Sequence, residues 1–397
     1  MKFAKKVKLL WGSMKFTYGI RRSLLNALAL IYFLSLGFNL VAITTLFAIS
    51  TIIMTFFEFP TGAIADYDSR KKSLMISFFL FFIGFLGIFL FKSFWLIAIF
   101  WILTHIAYTF STGADTAWYV DALKASKNKS ILLKFAKIGT VSESFGQIIG
   151  GIIGFLIVAI NFRFIWLVIS LTSLLMVIII SKYMEERNFK QEKTSHNYLK
   201  KVLIKARESI SYILHQDNRE LRVLLLGSFI GIISMSTFFI ALPLYLTQTL
   251  GLDQKYLPII FSILTVFTLI APFLAEKIAI KKSFRISLFF ICIITGISMI
   301  LFGFPKILII ALIFLAVIKL ADSMNGIIRN CATEMEFSSK IRASLGSISS
   351  IKWAIADSIA VFLAGIGIST IGIIPVIVIC AILAFITAII YLIGLKK

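Results

Sequence analysis

Apolar residues in this chain are gathered into long runs separated by short polar stretches, with none of the strict alternation that marks a half-buried strand. A run of roughly 20 mainly apolar residues is long enough to cross a bilayer as a helix. Twelve such runs stand at 17–36, 40–64, 73–91, 94–116, 131–159 and 162–184, and, after a polar stretch, at 221–246, 257–280, 286–304, 307–332, 344–367 and 373–395. The pattern predicts an all-α integral membrane protein with twelve transmembrane helices in two sets of six. Arg21 and Arg22 interrupt the first run, which makes it the weakest of the series.

The chain divides on this pattern into a basic cytoplasmic or interfacial segment (1–16), a first bundle (17–184), a central loop (185–220) and a second bundle (221–397). In the loop, Lys200 to Leu214 (KKVLIKARESISYIL) repeats its apolar positions at helical spacing, which predicts an amphipathic helix lying on the membrane surface. Met1 to Lys15 holds five lysines but no long apolar stretch or small-residue cleavage site, so no removable signal peptide is expected.

Composition agrees with a lipid environment. Of 397 residues, 59% are hydrophobic and 15% charged, against about 25% charged in soluble proteins. Mean hydropathy is +0.99. Forty Lys and Arg against 18 Asp and Glu give a net charge of +22, which in a soluble protein would point to nucleic acid. Placement changes that reading. The basic residues collect on one side of the predicted spans, at Lys2 to Lys15, Arg70 to Lys72, Lys124 to Lys129, the central loop, Lys281 to Arg285, Lys340 with Arg342, and Lys396 with Lys397. The opposite side has Lys92, Arg163, Lys255 and Lys306. The positive-inside bias then puts both termini in the cytoplasm of a plasma-membrane protein, and the charge reports orientation rather than nucleic-acid binding. Cys292, Cys331, Cys380, His105, His196 and His215 lack ligand spacing, so no metal site and no cofactor are expected. No GxxxxGK[ST] loop or recognisable nucleophile context is present, which argues against ATP hydrolysis and against an enzyme.

Traces of duplication link the halves. Ala65-Asp66 and Lys71-Lys72-Ser73 close the second run, as Ala275-Glu276 and Lys281-Lys282-Ser283 close the eighth. Weaker echoes are Ala114-Asp115-Thr116 with Ala321-Asp322-Ser323, and Gly139 to Ser142 with Gly346 to Ser349. The stretch Gly62 to Lys72 (GAIADYDSRKK) resembles the signature between spans 2 and 3 of the major facilitator superfamily, with Tyr67 where a basic residue is usual and Ser69 where glycine is usual. The resemblance implies two six-helix bundles that rock about a central cavity, a small-molecule substrate, a proton gradient as energy source and a working monomer. It also implies a cytoplasmic gate of Gly62, Asp66, Arg70 and Lys71 with Asp115 and Asp121. Gly62 would let a neighbouring helix approach closely. Asp66 would meet the N-terminus of span 11 near Ser344, and Arg70 would pair with Asp121 or Asp115. Ser142 to Gly151 (SESFGQIIGG) is similar to the glycine-rich signature of the family's antiporters, with Gln147 in place of proline. Such glycines are equally a helix-packing device.

Ionisable residues at membrane depth are costly and mark cavities or partners. They are Arg21, Arg22, Glu58, His105 and Glu143 in the first half, and Lys319, Asp322, Lys352 and Asp357 in the second. Spans 3, 6, 9 and 12 carry none, and in the family those four are peripheral. Arg21, Arg22, Glu58, His105, Lys319, Lys352 and Trp353 are therefore the candidate substrate-cavity residues. Trp118 and Tyr119 are either stacking or packing residues. Lys319 and Asp322, three apart, are placed to pair on one helix face. Lys352 and Asp357, five apart, are expected to find partners on other spans. A proton carrier must titrate near cellular pH, whereas a free carboxylate does so at roughly 4. Glu143 is the first candidate because no cation lies within one turn on its own helix, and Asp322 and Asp357 follow. The expected function is proton-coupled efflux of a toxic, antibiotic-like or amphipathic molecule, with an anionic or zwitterionic part if some cavity cations are free. Proton-linked uptake of a sugar or organic anion is one alternative, and a membrane-bound lipid-handling protein or enzyme is the other.

Overall fold

The computed structural model describes residues 2–124, 129–186, 211–215, 218–281, 283–304, 307–337 and 342–395. The helices are α1 (Lys2–Ser35), α2 (Leu40–Tyr67), α3 (Arg70–Leu90), α4 (Phe94–Ser111), α5 (Ala114–Lys124), α6 (Lys129–Ile160), α7 (Phe164–Tyr183), α8 (Arg219–Leu244), α9 (Leu257–Lys281), α10 (Phe284–Gly303), α11 (Leu308–Met335), α12 (Arg342–Ile371) and α13 (Ile373–Gly394). A π-helical turn at Tyr245–Thr249 and a 3-10 turn at Gln254–Tyr256 join α8 to α9. The fold is all-α, as the hydrophobic runs require. Most of the predicted surface helix in the central loop lies outside the described residues; 211–214 form a short helical turn.

Eleven spans among the described residues are long and apolar enough to cross a membrane. The twelfth predicted span is α1, which its lysines and arginines keep off that count. It nevertheless runs as one helix from Lys2 through the basic stretch, and Val7, Leu10, Trp11 and Met14 are buried. The fourth span is broken into α4 and α5 at Gly113, whose φ of 77° suits glycine.

The chain forms two compact units. The first comprises Met1–Phe38, Ile49–Thr194 and Asp253–Thr265; the second comprises Asn39–Ala48, Ser195–Leu252 and Val266–Lys397. In the first, α1 packs along α6 and α7, and α3 along α4 and α7. In the second, α8 packs along α12 and α13, and α10 along α11 and α13. Replacing α1, α3, α4, α6 and α7 by α8, α10, α11, α12 and α13 turns one list into the other, so the two units repeat one design. The first unit's core stacks Phe33 on Trp166 at 5.6 Å, with Trp101 edge-on to Phe33 at 5.3 Å. The second unit's core sets Phe302 against Tyr245 at 4.7 Å and against Phe238 at 5.4 Å. Lipid offers apolar side chains nothing to escape from, so such packing acts through dispersion and close fit. The same solvent explains why Trp95 and Ile160 stand 75% and 82% exposed.

Candidate functional site

The α2–α3 turn shows how local sequence positions the candidate gate. Ser69 caps α3 with an extended backbone (φ −168°, ψ 131°) and its hydroxyl accepts the Lys72 N–H at 3.0 Å. Extended backbone suits any residue, which is why serine stands there without strain in place of the family's glycine. Arg70, the first residue of α3, donates to Asp121 on α5 and to the Ala117 carbonyl, the latter at 2.7 Å. Of its two expected acid partners, Arg70 thus takes Asp121. Asp115 instead binds Lys15 of α1 at 2.7 Å, with 8% of its side chain exposed. Lys71 sends its ammonium to the Ser181 carbonyl at 2.9 Å.

Glu186, which the sequence reading passed over, accepts the Lys71 N–H at 3.1 Å and the Ser69 hydroxyl at 2.5 Å. A carboxylate at the positive end of α3 is favoured there; the signal was an acidic pair, Glu185-Glu186, in a strongly basic stretch. A Cβ added at Gly62 meets nothing within 4 Å among the described residues. Asp66 ends α2 with its side chain outside the described residues, as is that of Ser344. Trp118 and Tyr119 are buried, the indole donating to the Glu185 carbonyl at 3.0 Å and Tyr119 lying 4.3 Å from Trp11, so both are packing residues.

Deeper in the first unit, Arg22 of α1 pairs with Glu143 of α6 at 3.0 Å. No cation lies within one turn of Glu143 on its own helix, but the neighbouring helix supplies Arg22. Arg21, one residue earlier, lies buried over the Phe81 ring at 3.8 Å from the centroid. His105 binds the Trp101 carbonyl through Nδ1 at 3.1 Å and packs on the Trp101 ring, the arrangement of a satisfied histidine. Glu58 is half-buried on α2, and its carboxylate makes no hydrogen bond or ion pair among the described residues.

The α6 glycines are packing devices. A Cβ on Gly146 would stand 2.1 Å from the Phe16 carbonyl oxygen, and one on Gly19 would stand 2.1 Å from that of Glu143, so α1 and α6 touch backbone to backbone. Gly151 does the same towards the first turns of α9, where a Cβ would be 1.8 Å from the Ser262 hydroxyl. Gln147 causes no break in α6; its carbonyl and side-chain oxygens accept Ser262 at 2.8 Å and Thr265 at 3.0 Å.

In the second unit the charges take neutral partners. Asp357 accepts a hydrogen bond from Ser236 of α8 at 2.6 Å, and the Lys352 ammonium donates to Ser228 of the same helix. Lys319 lies over the Phe239 ring at 4.7 Å from the centroid. Asp322 is within reach of the charges of Lys319 and Arg329. Trp353 is 44% exposed beside Lys352. Ser228 and Ser236 are ordinary serines in an apolar run, and nothing in the sequence singled them out.

Compared with protein families, residues 11–335 fit the Major Facilitator Superfamily. Among solved structures, a mutant of the nucleoside transporter NupG is similar over 99% of this chain and 100% of that chain, with 14% identity and a TM-score of 0.78. A bacterial homologue of the human lysosomal transporter Spinster is similar over 99% and 97%, with 13% identity and a TM-score of 0.77. A D-xylose–proton symporter covers 100% and 97%, with 15% identity and a TM-score of 0.69. At such identities the likeness shows the fold. No match was found among curated proteins.

Proposed function

Because the chain belongs to the major facilitator superfamily, and is therefore a secondary transporter of small molecules rather than an enzyme, we propose that it couples proton movement to export of an amphipathic compound across the plasma membrane. In this reading both termini are cytoplasmic, Arg70, Lys71, Asp66, Asp115 and Asp121 belong to the cytoplasmic gate, and the coupling carboxylate is Asp357. The observation that carries the coupling is the Ser236–Asp357 hydrogen bond of 2.6 Å within a predicted span. A carboxylate held by a hydroxyl can gain or lose a proton without breaking an ion pair, whereas Glu143 must first release Arg22. The order of candidates therefore becomes Asp357, then Asp322, then Glu143.

Export rests on the likeness of Ser142 to Gly151 to the antiporter signature. The packing role of Gly146 and Gly150 favours uptake as the second reading, since the geometry accounts for those glycines without any antiport function. Proteoliposomes loaded with a pH-sensitive dye and challenged with a panel of amphipathic compounds test the coupling. Asp357→Asn is expected to lose the substrate-dependent proton signal while keeping substrate exchange at equal pH. A retained signal passes the role to Asp322. The sign of the proton signal, in vesicles of known orientation, separates export from uptake. Thiol labelling of Ser195→Cys only after permeabilisation is expected from the topology.

A further inference from the structure

Arg21 is buried to the point that 9% of its surface remains exposed, on a helix that crosses the membrane region of the first unit. Its guanidinium lies 3.8 Å from the ring centroid of Phe81, 5.0 Å from that of Tyr18 and 5.9 Å from that of Tyr108. Three aromatic rings from α1, α3 and α4 thus form a cage around one cation. Among the described residues, the carboxylate whose charge reaches Arg21 is Glu143, and Glu143 is already bound by Arg22 at 3.0 Å. No hydrogen bond or ion pair of Arg21 to any described side chain accompanies the ring contacts. The Tyr18 hydroxyl is buried beside it and makes no hydrogen bond of proper geometry. Tyr108 is 42% exposed and gives the cage an open side.

Two cations against one carboxylate leave this cluster of α1 and α6 one positive charge in excess. Desolvating an ion costs more than a cation–π contact returns. The cage therefore lacks a counter-charge. A guanidinium stacked by its face keeps its edge donors available, and those donors match a carboxylate in two parallel hydrogen bonds. The phenol of Tyr18, which lies beside it, is a further hydroxyl donor. A single excess charge calls for a monoanion, and aromatic walls call for an apolar or aromatic body beside it.

We propose that Arg21, with Tyr18, Phe81 and Tyr108, is the binding site for the carboxylate of an apolar or aromatic monocarboxylate. The proposal rests on the transporter reading and deepens it by naming the group the substrate carries. Arg22 and Lys352, two other candidate cavity cations, are held by Glu143 and Ser228.

The test uses the purified full-length chain in nanodiscs of neutral phosphatidylcholine, with benzoate as the probe and calorimetry as the readout. Saturable benzoate binding in the millimolar range or tighter is expected, with benzamide inert and phenyl phosphate weaker than benzoate. Arg21→Gln is expected to weaken benzoate at least about thirtyfold. Arg21→Lys, which keeps the charge and protects folding but loses the planar fork, is expected to weaken it about tenfold. Wild-type affinity in Arg21→Lys, equal binding of benzamide, tighter binding of phenyl phosphate, or no saturable benzoate binding would each overturn the proposal. Loss of benzoate binding when phosphatidylglycerol replaces part of the lipid would also overturn it, by assigning the cage to a lipid headgroup. Benzoate binding as described without any transport in proteoliposomes supports the site and removes the transporter reading. Proton-coupled transport without benzoate binding removes the site alone.

Discussion

Helices α6 and α12 hold the same place in their units, and the sequence echo of Gly139 to Ser142 in Gly346 to Ser349 falls near the start of each. Their seams are nevertheless built on different physics. A Cβ on Gly139 would press on Trp11 at 2.7 Å, and Gly19, Gly146 and Gly150 bring α1 and α6 into backbone contact, whereas a Cβ on Gly346 would meet nothing within 4 Å among the described residues. The α8–α12 seam is tied by side chains: Ser228 to Lys352, Ser236 to Asp357, and Thr237 to the Ala360 carbonyl at 3.2 Å. Small residues that admit close backbone approach and polar side chains that bridge a wider gap are two solutions to helix association in lipid. The first leaves a rigid seam with one ion pair. The second leaves titratable groups on exchangeable partners, which suits the proposed uptake and release of a proton there.

The comparison can be broken at its glycines, where the largest effect is expected. Gly146→Leu forces a side chain into the Phe16 carbonyl and should destabilise the first unit by about 3 kcal/mol, read as a lowered unfolding temperature in detergent. Gly346→Leu in the second unit should leave that temperature unchanged. Equal effects would show that the two seams are packed alike.

A smaller effect is expected at the charges. Arg22 keeps 62% of its side chain exposed while bound to Glu143, so solvent screens the pair and a double-mutant cycle of Arg22→Gln and Glu143→Gln should give a coupling of about 1 kcal/mol. A coupling near zero would mean the pair is incidental. Least of all, Ser236→Ala should cost about 0.6 kcal/mol, the mean for interhelical hydrogen bonds in membranes. Its transport assay is more telling than its stability, because the pH profile of proton coupling should shift if Asp357 carries the proton and stay in place if another carboxylate does.

Much of this protein was legible in its sequence because lipid imposes local rules. A span must be long and apolar wherever its neighbours lie, so hydropathy alone placed the helices and separated charged spans from uncharged ones. The exception, α1, pairs Lys15 with Asp115 and Arg22 with Glu143 on neighbouring helices, and only packing reveals those partners. The signature Gly62 to Lys72 pointed to the fold, and it also brought Arg70 and Asp121 together, since both sit at the ends of adjacent helices.

Apart from Arg70, the partners of the charged residues were beyond the sequence. Lys15 and Asp115 are 100 positions apart, Arg22 and Glu143 are 121 apart, and Ser236 and Asp357 are 121 apart. Each pair depends on how two helices rotate about their axes and how closely they approach, which in the first unit is set by glycine backbones and in the second by serines. The Phe239 ring under Lys319 is likewise a neighbour that only tertiary packing presents. The sequence by itself determined the membrane architecture, because burial in lipid is a property of each segment. Only the tertiary structure decided which charges find a charged partner and which, like Arg21, lie against aromatic rings, because compensation is a property of neighbours.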